Sequence, residues 1–249
     1  MVFRSFRTML AIVLIVLLSG CATTRLAPDT VARIKKVGVM SLTAHEFHRN
    51  YVGLTVFGNE YEKHDISSWG VDDEYEGQMQ YALAALGLFE TVRVPYERKE
   101  LYPVYDLNGP WDAPAFRTPK WSAVEERLKT FADRNSLDAI VMVISVLTED
   151  FLGSSNQHLR GAGLYARGVG NMTAVSVLHL FSTINVIDSK TGKPIATRVL
   201  SPTLNVASEL SRSKFDDLGA QKIEGLRTML VDLPKSKWGP TFRAVFTNH

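Results

Sequence analysis

The sequence predicts an α/β fold: a three-layer-like mixed β-sheet with flanking helices, in the order β-α-β-α-β-β-β-α. Three observations predict it. Strand-like and helix-like segments alternate through the first half, the pattern that produces parallel crossovers. Residues 138–147 (DAIVMVISVL) form an apolar run of strand length, suited to cover on both faces. Residues 174–200 hold a long strand, the turn Ser189-Lys190-Thr191-Gly192-Lys193 and a returning strand, which adds an antiparallel edge.

Each element has a local reason. The opening strand is KVGVMSL, within residues 33–42. Residues 44–72 have no clean period; 51–57 and 61–66 can pair across Gly58-Asn59, and the segment reads as an insertion or flap. A helix is expected from Asp73, since Asp73-x-x-Glu76 has capping-box spacing and Tyr75, Met79, Leu83 and Leu86 form an apolar stripe. Gly87 suits its end, and residues 90–94 (ETVRV) alternate as a strand. Residues 102–120 carry four prolines and read as a surface loop. Ser122-x-x-Glu125 offers a second capping box, with Val124, Leu128 and Phe131 on one helix face and Asn135-Ser136 as the stop. A third helix over 215–230 places Leu218, Ile223, Leu226 and Leu230 on its buried side, with Pro234 beyond; residues 241–246 read as a short final strand.

Residues 151–173 are glycine-rich and lack both periods. Two readings stand. One is a mobile flap that orders against a partner, with Leu164 and Tyr165 as apolar anchors and Arg160 and Arg167 at the rim. The other is a long hairpin extension. Trp111, in the proline-rich loop, is a further candidate for partner contact, because loop aromatics bury much area at small entropy cost.

The N-terminus has the charged, apolar, small layout of a secretory signal: Arg4 and Arg7, then residues 9–18 (MLAIVLIVLL), then Ser19 and Gly20. The apolar run is half the ~20 residues that a spanning helix needs. Leu18-Ser19-Gly20-Cys21 resembles the lipobox of bacterial lipoproteins, which implies a signal peptide over 1–20, lipidation of Cys21 and a lipidated tether over 21–32. Several acyl chains hold stably where one does not. Ala22, in place of an aspartate, resembles outer-membrane cargo. A single periplasmic domain over 33–249 is then expected, with insertions near 44–72, 102–120 and 151–173.

Composition excludes some functions. The chain has 28 Lys+Arg and 26 Asp+Glu; removing residues 1–20 takes away Arg4 and Arg7 and leaves 26 of each. A near-neutral chain is not built to bind nucleic acid through phosphate neutralisation. Cys21 is the only cysteine, so neither an internal disulfide nor a cysteine metal centre is expected.

Four segments resemble a family of bacterial envelope proteins that includes the N-terminal domain of the translocation protein TolB, the curli secretion lipoprotein and the lipoprotein activator of penicillin-binding proteins. They are KVGVMSL, the segment Gly87 to Val92 (GLFETV), the segment Leu137 to Val141 (LDAIV) and the segment Asn185 to Lys193 (NVIDSKTGK). The resemblance covers residues 33–202 and implies fold and compartment. The chain departs from the family at 44–72 and 102–120, and the two long membrane hairpins of the curli pore do not map onto it.

Tests for chemistry find no catalytic set. His45-Glu46-Phe47-His48 is one residue short of the zincin H-E-x-x-H spacing, with His64-Asp65 nearby. Gly163 to Gly168 has phosphate-loop spacing, but Val169-Gly170 follow where Lys and Ser/Thr are needed. Asp72, Asp73 and Glu74 suit a helix N-terminus; Glu149-Asp150 suit a strand end; His179 suits a sheet interior. No metal and no cofactor are expected. The reading is therefore a membrane-anchored lipoprotein acting as a non-catalytic interaction or assembly module in the envelope, whose partner is an envelope protein or another copy of itself. A curli-like oligomeric secretion channel component and an envelope hydrolase are the alternatives.

Overall fold

The computed structural model describes residues 25–103, 120–149, 158–169 and 172–247. In chain order its elements are α1 (Pro28–Arg33), β1 (Lys36–Leu42), β2 (Glu46–Val52), β3 (Glu60–Asp65), α2 (Val71–Ala84), β4 (Glu90–Arg93), α3 (Arg98–Leu101), α4 (Glu125–Arg134) and β5 (Ala139–Ser145). They continue with β6 (Leu147–Glu149), β7 (His158–Val169), β8 (Met172–Asp188), β9 (Pro194–Leu200), β10 (Thr203–Asn205), α5 (Ser208–Arg212), α6 (Ala220–Asp232) and α7 (Lys235–Phe246).

The α/β class and the mixed sheet are as expected. β1 lies between β4 and β5, parallel to both. β5 pairs antiparallel with the C-terminal half of β8, which takes β9 on its other side. The N-terminal half of β8 pairs instead with β7 and β10. Beyond β7 come β2, parallel to it, and then β3 as the edge; β6 pairs with the start of β7. One 17-residue strand thus belongs to both halves of the sheet.

Three layers form because β1 and β5 are apolar on both faces. Val37, Val39, Val141 and Val143 meet Tyr75, Met79 and Leu83 of α2, with Leu226, Leu230, Trp238 and Phe242 of α6 and α7 behind. On the other face Met40, Leu42, Ile140 and Met142 meet Leu128 and Phe131 of α4.

Several expectations are corrected. The 44–72 segment is part of the sheet: β2 and β3 form a hairpin, but Glu46–Val52 pairs with Glu60–Asp65 across a longer loop than Gly58-Asn59. Neither capping box forms. α2 begins at Val71 behind Gly70, whose φ is 66°, and α4 begins at Glu125 behind a 3-10 turn over Trp121–Ala123. Residues 241–246 are helix: Trp238, Phe242, Val245 and Phe246 are buried on one side of α7 despite Pro240 inside it. The chain is docked before the expected end of the tether at residue 32, because Leu26 is buried, its amide donates to the Val245 carbonyl at 2.9 Å, and α1 follows at once. Gly192 does take a positive φ of 68° in the β8–β9 turn.

The glycine-rich segment is strand where it is described. β7 pairs on both sides, and Leu164 and Tyr165 are buried. This corrects the flap reading, because buried side chains cannot anchor a surface partner. Glycine serves close approach here: a Cβ on Gly163 would sit 2.2 Å from the His48 carbonyl oxygen and 3.0 Å from the His179 ring.

Arg49 ties the β2–β3 hairpin to the domain. Its guanidinium is buried; Nη1 lies 2.9 Å from both Glu60 Oε2 and Glu62 Oε1. Nε donates to the Ser211 carbonyl at 3.0 Å and Nη2 to the Arg212 carbonyl at 3.1 Å. These carbonyls end α5, where a helix leaves acceptors unpaired.

Candidate functional site

The winding of the sheet points to one place. The chain leaves β1, makes the β2–β3 hairpin and returns through α2 on one face to β4; it then returns through α4 on the other face to β5. The strand order reverses between β1 and β5, so their carboxyl ends mark the topological switch point, where open α/β sheets bind ligands. Beside it, at the carboxyl ends of β1 and β4, lies a crevice of about 540 Å³ lined by Ser41, Asp72, Glu76, Arg93, Tyr96 and Arg98.

The protein's own side chains fill the hydrogen-bonding positions of this crevice. Asp72, in the first turn of α2, presents Oδ1 to the amides of Thr43 and Ala44, both at 3.0 Å, to the Ser41 hydroxyl at 2.6 Å and to the Thr43 hydroxyl at 3.1 Å. Arg98 donates Nη1 to Asp72 Oδ2 at 3.0 Å and Nη2 to the Leu42 carbonyl at 2.6 Å. One turn along α2, Glu76 accepts from the Ser41 amide at 3.1 Å, the Tyr96 hydroxyl at 2.5 Å and Arg93 Nε at 3.2 Å. Burial pushes the Glu76 carboxyl up, against the pull of those donors and of Arg93. Burial, with the charge of Glu76, likewise raises the Tyr96 hydroxyl.

A second cleft, of about 460 Å³, opens at the carboxyl ends of β1 and β5. Thr43 and Ser145 line it between the strands, and the Ser145 hydroxyl donates to the Thr43 carbonyl at 2.7 Å. His45, Glu46 and His48 line it from the start of β2; Arg98, Lys99 and Tyr102 from α3; Arg160 from β7. Arg98 lies 5.1 Å from the Tyr102 ring centroid, a cation–π distance.

Two histidines are held neutral on this side of the sheet. His48 is buried, with Nδ1 2.8 Å from the Tyr61 hydroxyl, and burial together with the Arg160 charge pushes it down to about 4. His179 is fully buried, with Nδ1 donating to the Gly161 carbonyl at 3.1 Å, and burial pushes it down to about 3. Both take up protons more readily in the unfolded chain, so their contribution is present above pH 6.5 and is lost as the pH falls from there towards 4. We expect the urea midpoint to drop between pH 7.5 and pH 4.5 by the equivalent of at least ~2 kcal/mol, with a flatter dependence in His48→Gln. A midpoint constant over that range would contradict the buried neutral state.

The residues singled out in the sequence disperse. Cys21 and Trp111 lie outside the described residues. Leu164 and Tyr165 are in the interior; Arg167, on the same strand, is half-buried; Arg160 reaches the second cleft. His45 and His48 line that cleft, while His64 lies on the other face, stacked on Phe215 at 4.1 Å. Among the described residues no three His, Cys, Asp or Glu side chains converge as a metal site would require. Among them, too, no helix is long and apolar enough to cross a membrane.

No family model matches the chain. No curated protein matches it either. Among solved structures it is similar to the PelC dodecamer from Paraburkholderia phytofirmans, at 12% identity over 89% of this chain and 92% of that one, with a TM-score of 0.35. It is also similar to the lipoprotein GNA1162 from Neisseria meningitidis, at 10% identity over 80% and 96% of the two chains, with a TM-score of 0.28. The functional reading rests on the chain's own residues.

Sequence reasoning missed the Asp72–Glu76–Arg93–Tyr96–Arg98 network. The run Asp72-Asp73-Glu74 was visible, but helix polarity accounts for it without β1. The one signal was the i, i+4 spacing of Asp72 and Glu76, which puts both carboxylates on the same helix face.

Proposed function

We propose that this chain is a lipid-anchored protein of the bacterial cell envelope, at the periplasmic face of the outer membrane, whose α/β domain is a non-catalytic interaction module. The observation that carries the non-catalytic part is the commitment of the backbone amides after β1. Asp72 sits where an anionic ligand would meet the amides after β1, so those donors are spent on holding α2 to the sheet. The anchor rests on Leu18-Ser19-Gly20-Cys21 and on the early docking of Leu26, which leaves four residues between Cys21 and Leu26, at most ~18 Å of extended chain from one to the other.

With Leu164 and Tyr165 buried, two neighbouring exposed apolar groups that a partner could grip are Leu54 and Phe57, 71% and 97% exposed in the loop of the β2–β3 hairpin. Phe57→Ser is expected to leave stability within about 0.5 kcal/mol, so a lost envelope phenotype in that variant reports on contact and not on folding.

Two experiments test the reading. Cys21→Ala should abolish palmitate labelling and leave an unprocessed precursor; labelling that persists sinks the anchor. Asp72→Ala should cost about 2 kcal/mol of stability by stranding buried amides and Arg98. The parent protein should turn over neither peptidoglycan nor ester probes. Hydrolysis by the parent that Asp72→Ala removes would make the crevice an active site and overturn the proposal.

A further inference from the structure

Arg160 is half-buried in the wall of the second cleft; its backbone pairs with Leu147, but among the described residues its side chain makes no hydrogen bond or ion pair. A guanidinium drawn partly out of water is costly unless an anion or acceptors meet it. The neighbouring acid, Glu46, attracts Arg160 through its charge but makes no direct ion pair with it, and its Oε1 is held by Lys63 Nζ at 3.1 Å. Arg98, across the cleft, is already committed to Asp72 and the Leu42 carbonyl. Lys99 stands exposed at the mouth and forms no ion pair among the described residues. The backbone is shaped to bring β7 in close. Gly161 has a φ of 47°, and a Cβ there would lie 2.8 Å from Ser145 Oγ, so β7 approaches the end of β5 only as glycine.

We propose that this cleft is a binding site for a small organic anion carrying one negative charge, a carboxylate or a phosphodiester, held by the Arg160 fork with Lys99 at the mouth. The guanidinium matches the paired oxygens of either group. The single charge follows from Glu46 and Glu97, which also line the cleft and repel a second. A nucleotide phosphate chain is a poor fit, because Asp72 already occupies the backbone amides of Thr43 and Ala44 beside it. A cleft of about 460 Å³ holds a ligand of monosaccharide size. The site does not depend on the lipid anchor or on the absence of catalysis.

The test is calorimetric titration of the mature lipidated chain in non-ionic detergent at constant ionic strength. Glucuronate is the carboxylate probe, dimethyl phosphate the phosphodiester probe and glucose the neutral control. We expect saturable binding of one anion or both, none of glucose, and a loss of about tenfold in Arg160→Gln with affinity kept in Arg134→Gln, an exposed arginine at the end of α4. Binding of glucuronate alone identifies an acidic sugar or similar acid as the ligand class; binding of dimethyl phosphate alone identifies a lipid-type headgroup. Failure of both anions to saturate, equal binding of glucose, or unchanged affinity in a folded Arg160→Gln overturns the site. Should Arg160→Gln not fold, Lys99→Gln at the exposed mouth must weaken binding about threefold, and unchanged affinity there overturns it equally.

Discussion

Arg49→Ala should destabilise the domain by about 3–5 kcal/mol, the cost of breaking a buried ion pair from one side. The guanidinium is 2% exposed and answers four acceptors: Glu60, Glu62 and the carbonyls of Ser211 and Arg212. Truncation takes a donor from each of the two carbonyls and leaves Glu62, which is 20% exposed, with less compensation. Glu62 still receives the Phe215 amide at 2.9 Å, so the loss is not total. The Arg49 charge also helps, after that amide, to hold Glu62 below the usual carboxylate range, so Arg49→Ala should raise the Glu62 titration point measured by NMR. A urea midpoint shifted by less than ~1 kcal/mol equivalent would show that the hairpin is held by its apolar side alone.

Gly163→Val is expected to cost ~3 kcal/mol or more, through overpacking with backbone and not with a flexible side chain. The new Cβ would fall 2.2 Å from the His48 carbonyl oxygen, so β2 must move off β7 or the His179 ring must shift. Hydrogen exchange locates the damage: amides of β2 should lose protection in the variant before those of β1 and β5. Gly225→Ala is the control of opposite sign. Gly225 lies inside α6 with no atom within 4 Å of an added Cβ, so alanine should stabilise by up to about 1 kcal/mol. A Gly163→Val variant as stable as the parent would show that the β2–β7 approach has slack.

The parallel core was legible because each of its strands and helices carries its own local pattern. KVGVMSL and DAIVMVISVL are continuous apolar runs, and such runs occur where helices cover both faces, as α2 and α4 do here. β7 was not legible for the opposite reason. Its residues alternate between two interiors, Ala162 and Leu164 towards one cluster and Leu159 and Tyr165 towards another, and its glycines serve close approach. A strand with two dry faces and small residues shows no period. In α7 the period was present, at Trp238, Phe242, Val245 and Phe246, but Gly239-Pro240 and the β-favouring residues after it pointed to a strand; burial against α2 outweighed local propensity. The first capping box failed because Glu76 is recruited across space by Ser41, and its neighbour Asp72 by Thr43 and Ala44, contacts that no local window contains. The second cleft was half visible: Arg160 stood out, but its meeting with Lys99 and His48 depends on β7 lying beside β2.

The shared strand also has a mechanical meaning. β8 spans both half-sheets, and from Asp188, beside the start of β5, to Val175, beside the end of β7, it runs roughly 40 Å at the usual rise per residue. The docked N-terminal segment enters β1 at the first of these ends, where Val37 pairs with Ala139, and the exposed loop after Val52 lies at the second. A pull between a tethered N-terminus and a partner gripping that loop would run along β8. Its rungs with β5, β7 and β9 would then be loaded in shear, all at once, and not peeled one after another. Such a domain resists force along one axis and yields across it, a property that would serve the proposed anchorage to a membrane at one end.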